Sequence, residues 1–356
     1  MNKSGFPNNT SSRQIRLLGF LILFAFLCSL ISILLQNSEI VRDWENRFQS
    51  RYYLLRFSFS QPEAIDLPLI LVLIDDHSLP VGTPRSPIDR NWLADLISNL
   101  SNHKPALIGI NILLDRTGNQ TADNRLINSI QTAGNVILRS DPFYPTHPSF
   151  EKAALDKGTI RFKLDSSDTV QEVCANQLTC QSSNLFHLKI LDYYQKIKNG
   201  TVSVQTPKMP WMKINFAVAN QDTTGKNVLS FPVIKAQEVS QIPDSAFKDK
   251  IVLVGTGFPD LFPLYRVPLS SPGITLQETE VVAQVLSMIA GNRFFYSLSP
   301  IVAGTILFII LTFISFVTIR KGSLLAILIS FMFILAFLIS SGWAFAFRDL
   351  EIPFVL

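Results

Sequence analysis

The sequence predicts an α/β extracytoplasmic domain with a mainly parallel sheet, flanked by transmembrane α-helices. Three observations predict it. Three uncharged apolar segments, 17–35, 301–318 and 324–347, are each close to the roughly 20 residues that cross a 30 Å hydrocarbon core. Between the first and second, continuous apolar runs such as LPLILVLI (67–74) and IVLVG (251–255) read as strands buried on both faces. Those runs alternate with segments of helical period, the pattern of βαβ units and a parallel sheet.

The elements follow in order. Segment 39–57 carries Ile40, Trp44, Phe48, Tyr52 and Leu55 at spacings of three and four, with Arg42, Glu45, Arg47 and Arg51 between. That pattern predicts a stalk helix continuing from the first span, whose stripe packs on the body or on a partner stalk. The run 67–74 predicts a strand ending in Asp75, Asp76, His77 and Ser78. Trp92, Leu93, Leu96, Ile97 and Leu100 predict a helix over 89–102, stopped by Pro105. ALIGINILL (106–114) predicts a second strand closed by Asp115. A helix over 123–133 and a strand opening at 135–138 complete a βαβαβ unit. Segment 142–230 mixes Thr, Ser, Asp and Pro with short apolar pieces, and predicts one helix near 185–197 ending at Asn199-Gly200. The strand 251–255 and the helix 278–290 restore regularity before the second span.

Positive charge sets sidedness. Lys3, Arg13 and Arg16 precede the first span, and Arg320 and Lys321 lie between the second and third. Both groups are read as cytoplasmic, which puts the large middle region outside. The first apolar run exceeds the 7–15 residues usual for a cleaved leader, so it reads as an uncleaved anchor. The organisation expected is a cytoplasmic N-terminus at 1–16, a span at 17–35, the stalk at 39–57 and an outer domain at 58–292. Spans at 301–318 and 324–347 follow, and 348–356 opens an incomplete further segment. The protein is thus placed as a multi-pass component of the inner or plasma membrane.

Net charge is +4 with no Lys/Arg-rich run, so nucleic-acid binding has no electrostatic footprint. Of three cysteines, Cys28 lies within the first span, and Cys174 and Cys180 stand six apart in the outer region. Two readings of that pair stand open: a disulfide in an oxidising compartment, or two reduced thiols in a loop. The four histidines share no ligand spacing, and no G-x-S-x-G elbow occurs. The sequence implies no cofactor, metal or catalytic residue.

In order and spacing, these pieces resemble the second class of cyclase- and histidine-kinase-associated sensory extracellular domains. WENRFQSRYYLLRF resembles the family's approach to its first strand. LVLIDDHSL, with Gly82, Arg90 and Leu93-Ala94, resembles its first strand, Asp-Ser-Leu turn and first helix. IGINILLD resembles its second strand, KINFAV, SFPVIKAQEV, FKDKIVLVGTG and PDLF its closing half, and PLSSPGITLQETEVVAQVLSMIAGN its last loop and the helix that leads into the membrane. The chain departs at Asn111, where an acidic residue is usual, and near Val282, where a histidine is common. The resemblance implies the ligand-recognising input half of a signalling protein. Its output, a kinase or nucleotide cyclase, is absent from this chain or supplied by a separate cytoplasmic partner; no kinase or cyclase signature occurs in the 356 residues.

Ligands bind open α/β sheets just past the carboxyl ends of strands. The candidate ligand residues are therefore Asp75, Asp76, Ser78, Asn111, Asp115, Gly255, Thr256 and Asp260. Turn capping by Asp75, a satisfied buried amide at Asn111 and a tight strand exit at Gly255 are the plainer readings. Gly255-Thr256-Gly257 resembles a phosphate-cradling turn but lacks the third glycine. The partners expected are the membrane, a small-molecule ligand and a second copy of the chain joined through the stalk. Two other classes compete: a membrane-anchored metal-dependent hydrolase using Asp75, Asp76 and His77, and an envelope scaffold binding a protein through 142–230.

Overall fold

The computed structural model describes residues 9–35, 38, 53, 67–165, 167–175, 184–200, 210–216, 219–221, 227–228, 231–258, 264–268, 275–297, 299–321, 323–348 and 350–351. Apart from Tyr53, the expected stalk at 39–57 lies outside them. The chain divides into two units: residues 1–60 with 295–356, and residues 61–294.

The first unit opens with helix α1 (Asn9–Leu35). The second unit is the α/β body. Its strands are β1 (Leu69–Ile74), β2 (Leu107–Ile110), β3 (Val136–Ser140), β4 (Asp156–Thr159), β5 (Phe162–Leu164), β6 (Val170–Cys174), β7 (Trp211–Lys213), β8 (Ala219–Gln221), β9 (Asn227–Val228), β10 (Val233–Lys235), β11 (Ile251–Thr256), β12 (Tyr265–Arg266) and β13 (Thr275–Leu276). Its helices are α2 (Arg90–Asn102), α3 (Gln120–Ala133), α4 (Pro148–Ala153), α5 (Phe186–Asn199), α6 (Asp244–Phe247) and α7 (Glu278–Ala290). Six strands form one parallel sheet in the order β10-β1-β11-β2-β3-β4.

The expected strands 1, 2 and 3 are present, but β1 and β2 are not neighbours. β11, from much later in the chain, lies between them, pairing Leu69 with Ile251 on one side and Leu107 with Ile251 on the other. Strand period then sorts the side chains. Ile70, Val72, Ile74, Ile108, Ile110, Val136, Leu138, Val252 and Val254 share one core with Leu93, Leu96, Ile97 and Leu100 of α2 and Leu126 and Ile130 of α3. Alternate residues point to the other face, which α5 and α7 cover. This helix–sheet–helix layering is why the strands are apolar without alternation.

Local signals set the helix ends. Asp89 caps α2 by accepting from Trp92 N at 2.9 Å, and Asn119 caps α3 by accepting from Thr121 N and Ala122 N. Gly134 and Gly200 end α3 and α5 in the left-handed region, at φ 68° and 70°. The irregular segment 142–230 contains a small antiparallel sheet, β5-β6-β7, beside α5. Buried Cys174 ends β6 and is disulfide-bonded, while Cys180 lies outside the described residues.

The first unit continues with β14 (Tyr296–Ser297), α8 (Pro300–Lys321), α9 (Ser323–Arg348) and β15 (Leu350–Glu351). Three stretches, Arg16–Leu35, Ile301–Arg320 and Ile327–Ala344, are long and apolar enough to cross a membrane. Phe26 of α1 meets Phe308 of α8 edge-to-face at 6.3 Å, and Phe313 of α8 meets Phe333 of α9 at 6.1 Å. α8 and α9 make a hairpin whose outer ends join, since β14 pairs with β15.

Candidate functional site

The carboxyl ends of β11, β2 and β3 open onto a cleft of about 520 Å³. Its walls are the loop after β1 (Arg85–Arg90), the loop after β2 (Asn111–Arg116), Arg139 of β3, Thr256 of β11, Tyr265 of β12 and the start of α7 at Gln277-Glu278. Sheet register places its most constrained pair. Ile110 is paired with Leu138, so the next position out sets Asn111 beside Arg139, on the face covered by α7.

Both side chains reach the first turn of α7. Asn111 Nδ2 donates to Thr279 Oγ1 at 3.0 Å. Arg139 Nη1 pairs with Glu278 Oε1 at 2.6 Å. Each also leaves a buried polar atom with no partner among the described residues: Oδ1 of Asn111 and Nε of Arg139. Buried groups of this kind are rare in folded proteins, because each forgoes its bonds to water. α7 opens with a capping box in which Glu280 Oε2 accepts from Gln277 N at 2.6 Å. Burial raises the Glu280 carboxyl above its ordinary value, against the lowering effect of that bond.

The lining holds four arginines, Arg85, Arg90, Arg116 and Arg139, and two carboxylates, Asp115 and Glu278. Asp115 holds exposed Arg116 at 3.2 Å. Arg90 lies over the Phe150 ring at 5.6 Å with Nε 3.8 Å from buried Asp123. Burial lowers the Arg90 pKa against the raising effect of Asp123, Asp115 and Asp89. Arg85 pairs with Asp76 and stacks over Phe258 at 5.7 Å. Burial, with the Glu278 charge, pushes the Tyr265 phenol up to about 12 despite nearby Arg139. Its hydroxyl is therefore a neutral donor throughout the physiological range.

The sequence-predicted residues separate. Asn111, Asp115 and Thr256 line the cleft. Asp75 and Ser78 instead close the turn after β1: Asp75 Oδ1 accepts from Ser78 N at 2.9 Å and from Ser78 Oγ at 2.7 Å. Burial raises the Asp75 pKa, but the Ser78 bonds and Lys235, 3.5 Å away, outweigh it and hold the carboxyl below its usual range. Asp76 faces Arg85 and His77 is exposed, so these three neighbours diverge. Among the described residues no group of three His, Cys, Asp or Glu could hold a metal ion.

Gly255 does not line the cleft. A Cβ there would overlap Thr279 Oγ1 and stand 2.7 Å from Thr279 Cβ, so its missing side chain lets α7 dock. Asp260 lies outside the described residues. Arg139, Tyr265 and Glu278 were not singled out from sequence. VILRS reads as an ordinary strand end, and only the register brings its arginine beside Asn111.

Fold, cleft and apolar helices define a membrane protein carrying an α/β domain with a ligand-sized opening at its strand ends. A family model described as CHASE2 domain matches residues 22–319, and the chain belongs to that family. CHASE2 domains are sensory and extracellular, so this is a sensory module of membrane signal transduction. No curated protein and no solved structure matches the chain.

Proposed function

We propose that residues 58–292 recognise a small ligand outside the cell membrane, in the cleft at the ends of β11, β2 and β3, and pass its presence inward through α7. The supporting observation is a pair of buried atoms without partners among the described residues, Asn111 Oδ1 and Arg139 Nε, at the cleft floor where α7 begins. A ligand that satisfies them stabilises one position of α7 over others, and only such a difference in affinity shifts a conformational equilibrium. α7 ends at Ala290 and α8 begins at Pro300, so a movement of α7 has a short covalent route to the bilayer. The module is not itself an enzyme in this reading. Its output lies with a cytoplasmic kinase or cyclase, and a second copy joins through the stalk.

Recognition is tested by melting the full chain in lipid nanodiscs with fractionated small solutes from the surrounding medium. A fraction that raises Tm in the parent and not in Thr256→Trp, which fills the cleft, is expected. A stabilising fraction indifferent to that substitution would place recognition elsewhere.

Sidedness has its own test. With 1–16 cytoplasmic and 58–292 outside, protease added to intact spheroplasts digests the body and spares the N-terminus. The reverse pattern would invert the proposed topology.

Cys174 is paired with Cys180 in this proposal, as an oxidising compartment permits. Cys174→Ser then lowers unfolding free energy by about 2 kcal/mol. The check is urea denaturation with and without reductant, combined with non-reducing peptide mapping; a parent protein insensitive to reductant would contradict it.

A further inference from the structure

The chemistry of the cleft floor restricts what it takes. Arg139 spends Nη1 on Glu278, and among the described residues its Nε has no partner. The guanidinium edge left over is the Nε–Nη2 edge, the fork that matches a carboxylate bidentately. One strand away stands an unpartnered acceptor, Asn111 Oδ1, which calls for a hydroxyl or N–H on the same ligand. The Tyr265 phenol and Thr256 hydroxyl stand in the same lining. Both orphan atoms lie beside the first turn of α7, whose own carboxylates, Glu278 and Glu280, already answer Arg139 and the Gln277 amide.

We infer that the ligand is a small hydroxycarboxylate, its carboxylate on the free edge of Arg139 and a hydroxyl donating to Asn111 Oδ1. The inference rests on the cleft being the recognition site. Arg139 fixes charge and orientation; Asn111 separates a hydroxylated acid from a plain one.

The test is isothermal titration of the full chain in nanodiscs with four probes. D-gluconate carries both groups, D-glucitol the hydroxyls without the carboxylate, hexanoate the carboxylate without hydroxyls, and inorganic phosphate a different anion. Gluconate is expected to bind, with each other probe weaker by about tenfold or more, the worth of one hydrogen bond to a charged group. Arg139→Lys keeps a cation for Glu278 but loses the fork, and is expected to weaken gluconate on the order of 10–100-fold while the unliganded protein still melts cooperatively. Asn111→Leu is expected to erase the preference for gluconate over hexanoate. Equal binding of glucitol, indifference of gluconate to Arg139→Lys, or no gluconate binding tighter than about 10 mM overturns the hydroxycarboxylate. If glucitol, hexanoate or phosphate binds best and is lost in Thr256→Trp, the cleft stands and only the ligand class falls. Binding unaffected by every cleft substitution removes both.

Discussion

Replacing Gly255 by alanine is expected to remove about 3 kcal/mol from the stability of the α/β body, at the upper end of overpacking costs. Gly255 is paired with Leu73 near the end of β11, and the new methyl group would overlap Thr279 in the first turn of α7. Thr279 is itself buried, so the clash cannot be relieved by swinging a flexible tip into solvent. The contrast is Gly109 on β2. A Cβ there meets the ends of Leu253 and Ile190 at 2.7 and 2.9 Å, which can rotate away, and Gly109→Ala is expected to cost about 1 kcal/mol. Urea denaturation of the two variants measures the difference. Thr279→Gly should partly rescue Gly255→Ala, although a glycine early in a helix itself costs up to about 1 kcal/mol. Strict additivity of the two substitutions would show that this contact is not the source of the loss. Because Thr279 also accepts from Asn111, displacing α7 loosens the cleft floor as well.

The second large effect is acid lability from His187. Its ring is fully buried at the start of α5, and neither nitrogen has a partner among the described residues. Burial lowers its pKa to about 3, from an ordinary 6.5. Between those values the unfolded chain binds one proton that the folded protein refuses. Stability from this group is therefore intact above pH 6.5 and falls as pH drops toward 3, by at most about 1.4 kcal/mol per pH unit. His187→Leu removes both orphan nitrogens with little change of shape. It is expected to be neutral to stabilising at pH 7 and to flatten the acid limb. Denaturation midpoints of both proteins at pH 7, 5.5 and 4 decide the matter. Parallel curves would mean that other groups govern acid unfolding.

Much of the scaffold was legible because its signals are local. The run before Asp75, the helical stripe over 89–102, the Asn199-Gly200 stop and the apolar spans each depend on neighbours in sequence, and each appears where expected. What escaped depends on partners far away. Strand order in a parallel sheet is set by crossovers, and no residue of IVLVGT announces that it fills the place between β1 and β2. Gly255 looked like a strand exit because its actual reason, Thr279, is on another element. Asn111 was expected to be satisfied, yet among the described residues only its amide nitrogen finds a partner. Arg139 was invisible for the same cause: a single arginine in VILRS gains meaning only from the strand beside it. Asp75 was read both as turn chemistry and as a ligand residue, Ser78 as a ligand residue, and the bonds both make are those of the turn.

The late insertion of β11 has a consequence for biogenesis. If secretion is vectorial, a nascent body emerges with β1 and β2 long before Ile251 arrives, and until then each offers a naked edge. Two such edges, one strand-width apart, invite direct mispairing of β1 with β2. Maturation must therefore wait for the last third of the polypeptide, and ribosomal stalling or premature termination upstream of residue 251 should yield debris for quality-control proteases rather than a smaller working receptor.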